Sequence, residues 1–275
     1  MVHMYDAPEI TPLVLDFYNT AWQSVASTRH VFEQIGLDLT QAAFRCVPLL
    51  HDLTSVDTIY AGPIARAGCG LFRPSVRSLL TTYACSAHHK ITVNSFGLGL
   101  RRAKNPLHTP ATVYWNTLQL TEMDDLTKSV ILIYEMGEAT GSTIAGVVSE
   151  LRELTIPFGN IVFLIGAACI EQTRTRLDAL APEIHLVIGS RWRYDPTDGP
   201  TQFYLTHVND GGWKPVPPRD WGRCVSGITD LASVIAFIQW VAETVPMTRQ
   251  DQNLLLLEWS KKIDESPING ARSTP

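Results

Sequence analysis

No apolar run in this sequence is long enough to span a bilayer. The longest (SVILIY, NIVFLIGAACI and LASVIAFIQWVA) fall short of the ~20 residues that a crossing helix needs. No basic region precedes an apolar stretch at the start, so a secretory leader is not expected. Basic residues are not in excess: the net charge is −5, the wrong sign for a general nucleic-acid binder. The five cysteines (Cys46, Cys69, Cys85, Cys169 and Cys224) are odd in number and scattered, which fits reduced thiols rather than a disulfide framework. There is no internal repeat, low-complexity block or linker that would separate domains. What is present is 275 residues, 45% apolar and 18% charged, enough to bury a sizeable core. These features predict a soluble, cytoplasmic, globular protein with no nucleic-acid or membrane partner.

Residues 1–56 read as a helical segment, with helical spacing over roughly 11–50. Trp22, Val25, Phe32 and Ile35 fall near one face, and Leu39, Ala42 and Ala43 continue it. From Asp57 onward, short apolar runs alternate with helical stretches, the pattern of a parallel sheet with crossover helices on both faces. Strands are predicted over 58–65, 91–96, 112–116, 130–135, 160–165 and 183–188, and helices over 74–85, 142–153 and 172–180. The segment 191–223 is rich in Pro, Gly, Asp and Trp and reads as loop with one short strand over 203–207. Two helical patterns follow, over 229–244 and 249–263, separated by Pro246, and the tail 266–275 reads as disordered. The predicted organisation is an α/β core over 57–225, an N-terminal helical segment packed on it and a C-terminal helical extension over 226–265.

The stretch from Ser129 to Leu151 carries the clearest chemistry. It reads as a buried strand with an acidic tip at Glu135, a small-residue turn Thr140-Gly141-Ser142-Thr143, and then a helix. A turn that opens a helix offers unpaired backbone N–H groups and the positive end of the helix dipole, which suits a phosphate. An ordinary strand-to-helix turn with a Ser or Thr cap has the same composition. The nucleotide-binding loop is excluded, because no Gly-Lys-Ser/Thr follows at the required gap. Cys85, His88 and His89 lack a second ligand pair at usable spacing for zinc.

This run resembles the phosphoribosyl pyrophosphate motif of type I phosphoribosyltransferases, and within them most of all the uracil phosphoribosyltransferase branch. Three further segments are similar in the same order. Gly62-Pro63-Ile64-Ala65-Arg66-Ala67-Gly68 resembles the family's strand and Arg-Ala-Gly turn. Gly99-Leu100-Arg101-Arg102, with Pro110 and Val113-Tyr114-Trp115, resembles its mobile hairpin and the strand after it. Asn209-Asp210-Gly211-Gly212 resembles the base-binding loop. The departures are Met136 for proline, Glu138 for leucine, Ser142 for the second glycine, Ala103-Lys104-Asn105-Pro106 for the hairpin's acidic run, and Trp213-Lys214 for Asp-Arg.

The resemblance implies a type I fold and transfer of 5-phosphoribose from phosphoribosyl pyrophosphate to a small planar acceptor, with Mg2+ as cofactor. It implies catalytic roles for Glu135, Arg66 and Arg102, with Glu135 on the ribose hydroxyls or the metal's water. Ala139, Thr140, Gly141, Ser142 and Thr143 would hold the 5′-phosphate; Ala67, Gly68 and Arg101 would hold pyrophosphate. Leu205, Asp210, Gly212 and Trp213 would line the base, Asp210 also facing the metal. Trp213 and Trp221 offer faces for stacking on a planar base, or simply pack their loop onto the core. The helical stripe Leu231, Val234, Ile235, Ile238, Val241, Leu254, Leu255, Leu257 and Trp259, together with the family's habit of pairing, implies a homodimer or larger assembly. Two other functions remain open on these residues: a non-catalytic regulator that binds a phosphoribosyl ligand, and a plain uracil salvage enzyme.

Overall fold

Near-continuous runs of branched apolar residues form the middle of the sheet: β6 (Ser129–Glu138), β7 (Ile161–Cys169) and β8 (Ile184–Tyr194). Strands covered on both faces cannot alternate with polar residues, and β7 is buried along its whole length. The computed structural model describes residues 2–20, 24–101, 109–120, 125–138, 140–153, 157–179, 183–194, 203–206, 213–216 and 221–263. The remaining strands are β1 (Val2–Asp6), β2 (Thr58–Ala65), β3 (Thr92–Ser95), β4 (Leu98–Arg101), β5 (Thr112–Asn116), β9 (Phe203–Thr206) and β10 (Trp213–Val216). The sheet order is β10-β9-β8-β7-β6-β2-β4-β5, with β1 beside β8 and β3 beside β2. Strands β1, β8, β7, β6, β2 and β3 are mutually parallel; β4–β5 and β8–β9–β10 are antiparallel additions at the two edges. The fold is mixed α/β with a mostly parallel sheet.

One face of the sheet carries α1 (Thr11–Thr20), α2 (Val25–Cys46), α4 (Gly68–Leu71), α5 (Pro74–Ser86), α8 (Trp221–Ser226), α9 (Leu231–Ala242) and α10 (Arg249–Ser260), after the short α3 (Pro48–His51). The other carries α6 (Ser142–Glu153) and α7 (Ile170–Asp178). Helix α2 shows what holds these helices. Its cap, Ser24 accepting from the Ser27 N–H at 3.1 Å, contributes about 1 kcal/mol. Phe32, Ile35 and Leu39 are fully buried beneath it, each worth roughly 1.5–3 kcal/mol relative to exposure, so packing decides. The Tyr134 hydroxyl of β6 meets Thr40 Oγ1 of α2 at 2.8 Å, closing the polar contact inside that interface.

The sequence pattern differs from the structure at both ends of the sheet. The first residues begin with a strand, β1, in register with Ile184–Ile188 of β8, rather than with a helix. Part of the 191–223 segment is sheet: β8 continues to Tyr194, and β9 and β10 form a hairpin on it. Pro215 sits in β10, an edge strand, the part of a sheet that tolerates a residue without an N–H. In the C-terminal extension, Val234, Ile238, Val241, Leu255 and Trp259 enter the protein's own core, leaving Leu231, Ile235 and Leu257 exposed. The tail 266–275 lies outside the described residues. No helix of the described residues is long and apolar enough to cross a membrane.

Candidate functional site

The order of the strands locates the crevice. From β2 the chain moves outward to β3, whereas β6, on the other side of β2, leads toward β7 and β8. The connections therefore reverse direction between β2 and β6, and in open parallel sheets ligands bind beyond the carboxyl ends at such a point. The two strands run in register through Pro63 and Tyr134, so the turns that follow them emerge side by side. After β2 come Arg66, Ala67 and Gly68; after β6 come Thr140, Gly141, Ser142 and Thr143.

The first turn is fixed by close packing. A Cβ at Gly68 would lie 2.2 Å from the Tyr134 carbonyl oxygen, so glycine lets α4 rest directly on β6. Gly68, whose amide the resemblance assigns to pyrophosphate, thus also serves a packing role. The Ala65–Arg66 peptide bond is cis. The half-buried Arg66 side chain runs along α8, where a Cβ at Gly222 would sit 3.2 Å from its Nε and Cζ. Cys69, just beyond, is fully buried, and burial pushes its thiol up to about 12. After burial, the charges that act on it are those of Arg73, Glu135 and Arg66. Glu135, 6% exposed, folds back so that Oε1 accepts from the N–H groups of Met136 (2.8 Å) and Gly137 (3.2 Å).

The second turn already holds an anion, and it is the protein's own. Glu138 is 2% exposed. Its Oε1 accepts from the N–H groups of Thr140 (3.1 Å) and Gly141 (2.8 Å), and its Oε2 accepts from that of Ile144 (3.2 Å). Gly141 has φ +73°, a left-handed conformation that side-chain-bearing residues rarely adopt. The Thr140 hydroxyl accepts from the Ser142 N–H at 3.3 Å. The Ser142 hydroxyl, expected to donate to phosphate, donates instead to the Thr109 carbonyl at 2.9 Å. Thr143 is 7% exposed. Arg176 of α7 lies against Gly141 and donates to the Thr140 carbonyl at 3.4 Å. Neither contact is visible in the sequence. Nothing local in a strand-end glutamate or a mid-helix arginine announces them.

Arg101, expected to close over pyrophosphate, is engaged elsewhere in this structure. Both its Nε and Nη2 donate to the Glu258 carboxylate of α10, the former at 3.1 Å. The same helix holds the β4–β5 hairpin at two more points: the Trp259 indole donates to the Tyr114 hydroxyl (3.0 Å), and the Trp115 indole to Asp251 (3.2 Å). Burial pushes the Tyr114 phenol up to about 12, opposed by the Trp259 bond.

Arg102, Ala139, Asp210 and Gly212 lie outside the described residues. For Leu205 and Trp213 the backbone alone is described, in the β9–β10 hairpin. Among the described residues, no group of three or more His, Cys, Asp or Glu side chains is placed to hold a metal ion.

No protein-family model and no curated protein matches the chain. Among solved structures, it is similar to the AQ2163 protein from Aquifex aeolicus, with a TM-score of 0.56 and 16% identity over 83% of this chain and 99% of that one. That likeness is one of fold. Fainter similarities reach the APRTase from Giardia lamblia (TM-score 0.36, 13% identity, 65% of this chain and 84% of that one). A hypoxanthine-guanine phosphoribosyltransferase from Bacillus anthracis gives 0.31, with 10% identity over 52% of this chain and 72% of that one.

Proposed function

We propose that the protein is a type I phosphoribosyltransferase that moves 5-phosphoribose from phosphoribosyl pyrophosphate to a planar acceptor and releases pyrophosphate. One observation carries this reading: the Arg66-Ala67-Gly68 and Thr140–Thr143 turns leave adjacent parallel strands side by side at the reversal of strand order. The reaction needs no protein nucleophile. Its transition state gathers positive charge on the ribose as pyrophosphate leaves, so catalysis is positioning and leaving-group stabilisation. The Thr140–Thr143 turn holds the 5′-phosphate, Arg66 and the Ala67 amide hold pyrophosphate, and Glu135 takes the ribose hydroxyls. Magnesium would enter with phosphoribosyl pyrophosphate and neutralise the departing pyrophosphate, with Asp210 the residue offered to face it.

The acceptor in this reading is larger or more anionic than uracil. Uracil recognition pairs two carbonyl oxygens and a ring N–H with backbone groups in a dry pocket. Here the segment after Gly212 contains Trp213, Lys214 and three prolines, Pro215, Pro217 and Pro218, each without an N–H. Lys214 supplies a cation for an acceptor carboxylate, which uracil lacks. A second reading, a non-catalytic binder of phosphoribosyl ligands, is favoured by the Glu138 carboxylate on the turn amides.

A pyrophosphate-release assay with phosphoribosyl pyrophosphate, magnesium and a panel of nucleobases and ring carboxylates tests these readings. Release with a non-uracil acceptor is the expected result. Ligand binding with no release from any acceptor selects the binder. Efficient turnover of uracil, at kcat/KM of about 10⁴ M⁻¹s⁻¹ or more, makes this a uracil salvage enzyme. No stabilisation by millimolar phosphoribosyl pyrophosphate, where saturation at ~100 Kd adds roughly 2.7 kcal/mol, removes both transferase and binder.

A further inference from the structure

We infer that the Glu138 carboxylate is the resident anion of the β6–α6 turn, and that a phosphate monoester enters the turn only by displacing it. This rests on the proposed phosphoribosyl reading and names the residue that sets the affinity of its 5′-phosphate site.

The geometry is not that of an ordinary helix cap. A cap side chain belongs to the residue flanking the helix and reaches the second or third helical N–H. Glu138 instead projects from the last position of β6, spans the turn, and takes two amides of the turn (Thr140 and Gly141) and one of the first helical turn (Ile144). One carboxylate, 2% exposed, thus bridges strand end, turn and helix with both oxygens. Converging amides at the positive end of a 12-residue helix are the donor set that suits a phosphate. Two anions cannot share them, because like charges at van der Waals distance in a buried site repel strongly.

The wall of the turn points the same way. Thr173 of α7 is fully buried, and its Cα lies 3.2 Å from where a Gly141 Cβ would be. Its Oγ1 has no hydrogen-bond partner among the described residues. Arg176, one turn further along α7, lies against the same glycine. Buried Thr173 and the Arg176 guanidinium thus border a turn whose amides are already neutralised from within. Such a turn is stable without ligand and discriminates by charge: a dianionic phosphate with three acceptor oxygens can replace the carboxylate, whereas a singly charged carboxylate ligand gains nothing over Glu138.

Calorimetric titration of the full chain with ribose 5-phosphate, and separately with phosphoribosyl pyrophosphate and magnesium, tests the inference. Glu138→Gln removes the charge while keeping the volume, and is expected to bind ribose 5-phosphate at least tenfold more tightly than the wild type. Glu138→Asp, which withdraws the carboxylate by one methylene, is expected to fall between them and serves if the first variant does not fold. Unchanged or weaker binding in the variants, with phosphoribosyl pyrophosphate still bound by the wild type, overturns the inference and leaves the phosphoribosyl reading standing. Binding of neither ligand to any form overturns both. In the wild type, the amide resonances of Gly141 and Ile144 must shift together at ligand saturation as the carboxylate leaves. An unmoved Ile144 amide overturns the displacement.

Discussion

The carboxylate of Glu258 on α10 receives two donors from one guanidinium, that of Arg101 on β4, across 157 positions of sequence. The acid side chain is 9% exposed and the arginine side chain 58% exposed, so one partner is held in place while the other faces water. The Arg101 hydrogen bonds hold the Glu258 carboxyl below its ordinary range, against the opposing effect of burial, and Lys261 adds a further donor at 2.7 Å. Pairs with an exposed member contribute only ~0.2–1 kcal/mol. The contact therefore matters less for overall stability than for where it keeps Arg101: against the C-terminal helix, tied there with Tyr114 and Trp115.

Glu258→Gln is expected to loosen that strap selectively. A carboxylate whose folded pKa is depressed contributes fully above its unfolded value of about 4.3, and the contribution is lost as pH falls through the lower, folded value. In the wild type, protection of the Trp259 indole N–H from hydrogen exchange should persist through the ordinary glutamate range and be lost only below it. In the variant it should already be reduced at pH 7, with global stability lower by no more than about 1 kcal/mol. Equal protection in both proteins at neutral pH would show that Arg101 is not held through Glu258.

Gly68→Ala separates packing from ligand binding in the first turn. The added methyl would meet the Tyr134 carbonyl oxygen at 2.2 Å, and backbone cannot rotate away as a side chain does. The expected cost is ~1–3 kcal/mol in urea unfolding without any ligand, the range for overfilled cores. A change below about 0.5 kcal/mol, the ordinary level for surface substitutions, would mean that α4 does not rest on β6 as described.

The thiols should divide sharply by reactivity. Cys69 and Cys169 are buried, and desolvation pushes both up to about 12, so neither carries thiolate at neutral pH. Cys85 is exposed. Under native conditions an aromatic disulfide reagent should therefore modify Cys85 first, and Cys69 and Cys169 only after unfolding. Peptide mapping that finds Cys69 modified as fast as Cys85 would contradict its burial beneath the first turn.

The parts legible in the sequence are those where local pattern and local punctuation agree. Strand β2 and strand β5 fall at 58–65 and 112–116 as the apolar runs place them, and α6 begins at Ser142, where the small-residue turn ends. The four residues Ile144, Val147, Val148 and Leu151 form its buried stripe. Strand β1 was not legible, because VHMYD has no clean alternation; it is a strand because β8 offers it an edge more than 180 positions away. The Arg and Trp of Arg191–Tyr194 read as loop, although β8 pairs Arg191 and Trp192 with β7 and Trp192–Tyr194 with β9. In the site, the order of the two turns was readable, but their occupants were not. Glu138 appeared as a departure from a motif, with no indication that its carboxylate would reach Ile144, and Arg101 gave no sign of Glu258. Periodicity records which face a residue occupies, not what waits across from it.

The division of roles between Arg66 and Glu135 can be measured with two small ligands. A guanidinium presents paired donors to the adjoining oxygens of pyrophosphate, whereas a carboxylate repels pyrophosphate but accepts from vicinal ribose hydroxyls. Arg66→Ala should therefore weaken binding of magnesium pyrophosphate by roughly 1.5–3 kcal/mol, about ten- to a hundredfold, the worth of a charged hydrogen bond. For Glu135 the informative change is to Gln rather than Ala. Its carboxylate also accepts from Met136 and Gly137, and Glu135→Gln leaves an oxygen for those amides while removing the charge. That variant should bind pyrophosphate as well as the wild type or better, and ribose 5-phosphate more weakly. Gly222→Ala gives an independent check: its new methyl would press on the Arg66 side chain at 3.2 Å, so it should weaken pyrophosphate and spare ribose 5-phosphate. If Arg66→Ala and Glu135→Gln lower both affinities by the same factor, the two residues do not face different parts of one ligand, and the crevice between β2 and β6 does not bind phosphoribosyl pyrophosphate in the orientation assigned to it.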